Sequence, residues 1–230
     1  MDISNLIQTV LIYALPVVFA ITVHEAAHGY VARHFGDDTA TVMGRVTLNP
    51  MKHIDPIGTI LMPLMLYFAT AGSFVFGYAK PVPVNFMALR NPRADMAWVA
   101  IAGPAINVAL GLLAALSFHA LDFVPDDSRR WIFDTLRNAL VINAVLAVFN
   151  MFPLPPLDGG RIAVAVLPDF LARPLARLEP YGMLILIGLI IVAPILGQQL
   201  GANLNFVSEA INTGTGYLIR AILLLSGNAS

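Results

Sequence analysis

The chain has 230 residues, 58% hydrophobic and 12% charged, with a formal net charge of −1. Soluble domains run near 45–50% apolar and about 25% charged, so this composition excludes an ordinary soluble domain and predicts an integral membrane protein. The near-neutral balance gives no reason to expect nucleic acid, and the absence of cysteine excludes disulfides and thiolate ligands.

Leu6 to Val23 is a run of eighteen residues without a formal charge, enough for about one bilayer crossing at ~1.5 Å per residue. A helix is expected from about Asn5 to His34, with Pro16 as a tolerated kink. The run ends in Thr22-Val23-His24-Glu25-Ala26-Ala27-His28-Gly29. A cleaved signal peptide has a basic start. Here no Lys or Arg precedes Arg33, and cleavage after the run would sever the His-Glu segment, so a permanent first helix is expected. Ionisable groups at that depth are expensive. On a helix His24 and His28 share one face, which lets both reach a single Zn²⁺ at ~2.0–2.1 Å, with Glu25 beside them as general base.

Ala40 to Leu48 partly alternates around Gly44 and predicts a short β segment. A second apolar run covers Ile54 to Ala71. Phe74 to Asn85 reads as extended chain, because residues before proline avoid the α region. Met43 to Leu48 and Val75 to Val84 are then the segments able to pair with an extended substrate; Pro81 and Pro83 leave only alternate donors free, which suits an edge. A third span covers Met96 to Leu121. Asp122 to Arg137 is charged and predicts an exposed loop or surface helix. Leu136 to Met151 reads as a fourth span, broken by Phe152-Pro153-Leu154-Pro155-Pro156-Leu157-Asp158-Gly159-Gly160 and resumed over Arg161 to Leu167. The two halves together are long enough to cross, which puts the break near mid-depth, where irregular backbone must be buried or line a wet cavity. Tyr181 to Gly197 makes a fifth span. Leu204 to Leu225 is a sixth, weakened by Glu209, Gly214, Gly216 and Arg220. Six spans divide the basic residues six against six before Arg220 is placed, so the positive-inside rule assigns no orientation.

A catalytic zinc site needs three protein ligands and one open position. Asp158 is the best third candidate, since it sits in a broken helix at membrane depth and Gly159 and Gly160 would let backbone approach the metal. The competing explanation is an ordinary turn between two shorter helices.

With these segments in order, the chain resembles the site-2 protease family of intramembrane zinc metalloproteases. The resemblance rests on His24-Glu25-Ala26-Ala27-His28-Gly29 and on Asn150 through Gly160. It extends to Ala102-Gly103-Pro104-Ala105-Ile106-Asn107, Leu48-Asn49-Pro50, His53-Ile54-Asp55-Pro56 and Lys80 through Asn85. It implies zinc, one per chain, held by His24, His28 and Asp158, with Glu25 as base. It also implies a transmembrane protein substrate cut within or near its membrane segment in regulated intramembrane proteolysis. The match is to the small bacterial and archaeal members without a PDZ or nucleotide-binding domain. That implies a prokaryotic cell (inner) membrane, a site opening to the cytoplasm and an N-terminus outside. In that family an asparagine at the place of Asn150 contacts substrate backbone or oxyanion; satisfying carbonyls freed by the proline break is the alternative. Asn107 is a second candidate for reaching the site, against helix packing. His53 assists at the site or sits at the interface beside Lys52 and Asp55; His34 and His119 fall at span ends.

The expected fold is therefore an all-α polytopic membrane protein in one domain, residues 1–230. It is a bundle of five to six transmembrane helices with short β segments at one face and a broken fourth helix. A metal-ion transporter would need ligands along a path or inverted repeats, and the sequence has one cluster and no repeat. A noncatalytic scaffold with a zinc site would lack Glu25 or a ligand, and all four residues are present.

Overall fold

The computed structural model describes residues 3–69 and 77–228. The end of the second apolar run and the start of the extended segment, residues 70–76, lie outside the described residues. The helices are α1 (Ile3–His34), α2 (Thr39–Val42), α3 (Met62–Ala69), α4 (Pro92–Ser117), α5 (Asp126–Asn150), α6 (Asp158–Val166), α7 (Asp169–Ala176), α8 (Gly182–Ile187), α9 (Ala193–Leu200) and α10 (Phe206–Leu225). Among the described residues, four stretches are long and apolar enough to cross a membrane: Val10–His34, Pro92–Phe123, Asp126–Asn150 and Asp169–Leu200. Within the described residues, the second apolar run forms a short apolar helix over Pro56–Phe68. The final expected span is a continuous helix, α10, but it is not among the four stretches apolar enough to cross.

The bundle is organised around α4, which packs against α1, α5, α6 and α10. Its buried positions include Asp95, Val99, Gly103, Asn107, Gly111 and Ala115, a stripe of mostly small residues at four-residue steps. In lipid, where apolar side chains gain nothing by leaving their solvent, small residues let backbones approach and packing hold helices together. The first helix has the same logic: Ala20, Ala26 and Ala32 are buried, whereas Leu11, Leu15 and Phe19 are exposed.

The expected break of the fourth span is present, between the end of α5 at Asn150 and the start of α6 at Asp158. The span itself differs from its apolar pattern. The charged stretch before it is the start of α5, with Asp126 and Asp127 favourably placed in the first turn and an Arg129–Asp126 ion pair at 2.9 Å. At 25 residues α5 is long enough to cross alone, so the interruption comes after a full-length helix instead of halving one.

The expected β segments are not found; no strand occurs among the described residues. Over 40–48 the chain makes helix α2 and then a turn in which Gly44 takes a positive φ of 63°, with Arg45 N–H donating to the Ala40 carbonyl. A left-handed glycine closing a helix satisfies its last carbonyls, and no extended run remains to pair. The segment from residue 77 to 85 is extended, but its donors are taken individually: Lys80 N–H by the His53 carbonyl, Val82 N–H by Glu25 and Asn85 N–H by Asp37. The Asn-Pro and Asp-Pro pairs are helix caps: Asn49 accepts from Met51 N–H, and Asp55 from Ile57 and Gly58 N–H.

Candidate metal centre

The helical repeat of α1 puts His24 and His28 one turn apart on its buried face, and the first turn of α6 brings Asp158 to the same place. All three are buried, at 6%, 8% and 5% exposure. The Nε2 atoms of the two imidazoles are 3.0 Å apart. Asp158 Oδ2 lies 3.3 Å from that of His24 and 3.4 Å from that of His28. Ligands at ~2.0–2.1 Å around a tetrahedral ion stand roughly 3.3 Å from one another, so this triangle has the size of one face of a zinc polyhedron.

The surroundings fit a cation. His28 Nδ1 donates to the Val99 carbonyl at 2.7 Å, which leaves its Nε2 lone pair pointing inward. Asp158 Oδ2 is buried without a hydrogen-bond partner. Lone pairs gathered at this distance repel unless positive charge lies among them. The floor of the site is α4, where a Cβ on Gly103 would overlap both histidine rings.

Gly159 and Gly160 have a packing role of their own. A Cβ on either would collide with the backbone of Met151 to Pro155, so the glycines let the interrupting loop fold back on α6. The Asp158 carboxylate faces the histidines.

Glu25 is the residue after His24 on α1 and is partly buried. Its Oε2 accepts from Val82 N–H at 2.7 Å. The extended strap carrying Val82 is clamped by Arg45, which is 6% exposed and donates through Nη2 to the carbonyls of Lys80 (2.7 Å) and Pro81 (3.2 Å). Sequence reasoning misses Arg45, because a lone cation after Gly44 gives little signal of burial. His53, an interfacial candidate by sequence, is 2% exposed and binds the Thr47 carbonyl through Nε2.

His24, Glu25 and Asn150 line one cavity of about 150 Å³ with Tyr78, Phe149 and Met183. That is room for a few waters at ~30 Å³ each. The Asn150 amide donates to the Leu146 carbonyl one turn back, at 3.0 Å, and the residue lines this cavity. Asn107 is elsewhere. Fully buried behind His24, it contacts His24 Nδ1 at 2.6 Å and donates through Nδ2 to Asn143. A larger groove of about 600 Å³ between α4, α5 and α10 has no ionisable lining.

Comparison with known proteins agrees with this chemistry. Residues 124–193 match the model of peptidase family M50. The chain is 37% identical over 203 residues to "Putative zinc metalloprotease YwhC" of Bacillus subtilis (strain 168), covering 86% of this chain and 87% of that protein. It is 29% identical over 206 residues to "Putative zinc metalloprotease Rip2" of Mycobacterium tuberculosis (strain ATCC 25618 / H37Rv), covering 87% and 76%. No solved structure shows a significant match. With apolar helices of spanning length and a donor set suited to zinc, the chain is a membrane zinc metalloprotease and belongs to peptidase family M50, the site-2 protease family.

Proposed function

We propose that the protein is an intramembrane endopeptidase, a single multi-pass domain in the inner membrane of a prokaryote, that hydrolyses a peptide bond in or near a transmembrane segment of another protein. Regulated release of that protein is the purpose the family membership suggests. The observation that carries this reading is the convergence of His24, His28 and Asp158 at 3.0–3.4 Å, with Glu25 one residue from the first of them, inside helices of spanning length. These three residues would hold the zinc, which would supply Lewis-acid activation of a water and of the scissile carbonyl.

Glu25 takes the proton of the attacking water and passes it to the leaving amine. One of its oxygens accepts from Val82 N–H, which gives the carboxylate a fixed direction, and the other takes the proton. Asn150, on the wall shared with Glu25, binds substrate backbone or the developing oxyanion. Among the described residues, no second group of this kind marks a path for ion transport.

The test is Glu25→Gln in purified protein, with cleavage of a membrane-embedded reporter and zinc stoichiometry measured together. Full zinc content with cleavage reduced about 10²–10⁴-fold is expected for loss of a general base. Cleavage at the unmodified rate with full zinc would sink this role for Glu25.

A further inference from the structure

Behind the His24 imidazole stands a row of amides that crosses three helices. His24 Nδ1 on α1 lies 2.6 Å from Asn107 Oδ1 on α4. Asn107 Nδ2 lies 2.8 Å from Asn143 Oδ1 on α5, and Asn143 Nδ2 lies 2.8 Å from the Ala139 carbonyl one turn back. Asn107 and Asn143 are 0% and 2% exposed, so water does not compete for these bonds. Side-chain amides in an apolar core are costly enough to ask what they accomplish.

The two ends of an amide have nearly the same shape and opposite polarity. The polarity of such a row is set by whichever member cannot change. Here that member is the Ala139 carbonyl, which has no proton to give. Asn143 must therefore present its NH₂ to Ala139 and its Oδ1 to α4. Asn107 must then give its NH₂ to Asn143 and turn its Oδ1 toward α1. Facing an acceptor, His24 donates from Nδ1. A neutral imidazole protonated there carries its lone pair on Nε2, the atom that faces His28 and Asp158. His28 reaches the same state in one step, from the Val99 carbonyl.

The geometry points to Asn143 as a positioning residue for the metal centre: anchored on the Ala139 carbonyl, it sets the direction of Asn107 and so the tautomer and ring orientation of His24. Without it the Asn107 amide is free to invert and offer NH₂ to His24 Nδ1. That selects the Nε2–H tautomer, whose proton occupies the position a metal needs. Partners behind a ligating histidine fix its tautomer and tune affinity in this way. The inference rests on His24 being a zinc ligand.

The experiment measures zinc affinity of the full chain in detergent by competition with a chromophoric chelator. Asn143→Leu keeps the approximate volume and removes the relay; affinity should fall about 10–100-fold, the range for losing such a partner. Asn138→Leu is the control, since Asn138 on the same helix donates to the Ile12 carbonyl of α1, at 3.3 Å, away from the relay; its zinc affinity should not change. Unchanged affinity in Asn143→Leu while His24→Ala loses zinc overturns the relay and leaves the ligand assignment standing. Full affinity in His24→Ala overturns the ligand assignment itself. Hydrogen exchange of the side-chain amides in the unmodified zinc-loaded protein needs no variant to fold. Protection of both Asn107 and Asn143 NH₂ groups is expected, and exchange at the rate of a free amide overturns the relay.

Discussion

Two stretches of this protein, Pro92–Phe123 and Asp169–Leu200, are both 32 residues long and nearly equal in mean hydropathy, yet 44% of the most apolar window is buried in the first and 11% in the second. The first carries Gly103, which makes room for two imidazoles, and Asn107, which holds one of them. The second exposes Leu184, Leu196 and Leu200. Apolarity places a helix in a membrane without saying what it faces. In lipid, the small and polar residues mark the side turned inward.

Removing a proposed ligand breaks the comparison hardest. Asp158→Ala should abolish both zinc stoichiometry, read by elemental analysis, and cleavage, because two imidazoles remain where three ligands are needed. Gly103→Ala tests the buried stripe directly. The added methyl overlaps both rings, and a displacement of about 1 Å at a reacting centre is worth ~10²-fold in rate. Retention of wild-type kcat with full zinc would mean that the rings are not seated on α4. Arg45→Met removes two charge-assisted bonds to the strap behind Glu25, a kind of bond worth about 1.5–3 kcal/mol. A lower Tm and slower cleavage with zinc content preserved are the expected readouts. At the far end of the scale, Leu184→Ala, at 69% exposure, should change stability by less than about 0.5 kcal/mol. A loss of zinc there would show that the Asp169–Leu200 stretch supports the centre after all.

The charged beginning of α5 illustrates where hydropathy misleads about boundaries. Six ionisable residues between 126 and 137 read as an exposed loop or a surface helix set apart from the span, but acidic groups in the first turn and pairs at helical spacing make them the start of the same helix. The absent strands make the complementary point. Alternation near Gly44 and prolines near Val82 are real features of the chain. Their backbone groups found side-chain and turn partners, and a ladder forms only when a second extended segment is free to pair.

From the sequence alone came the membrane class, the i, i+4 histidine pair with its glutamate, the interruption before Asp158 and the suitability of the three donors for zinc. These depend on local periodicity and on the chemistry of single residues. Tertiary structure alone decided that Asp158 Oδ2 meets both Nε2 atoms, that Gly103 is their floor, that Arg45 and His53 are buried behind the strap, and that Asn107 stands behind His24 with Asn143 beyond it. Those contacts join residues far apart in the chain, and only the packing of α1, α4, α5 and α6 sets the distance between them.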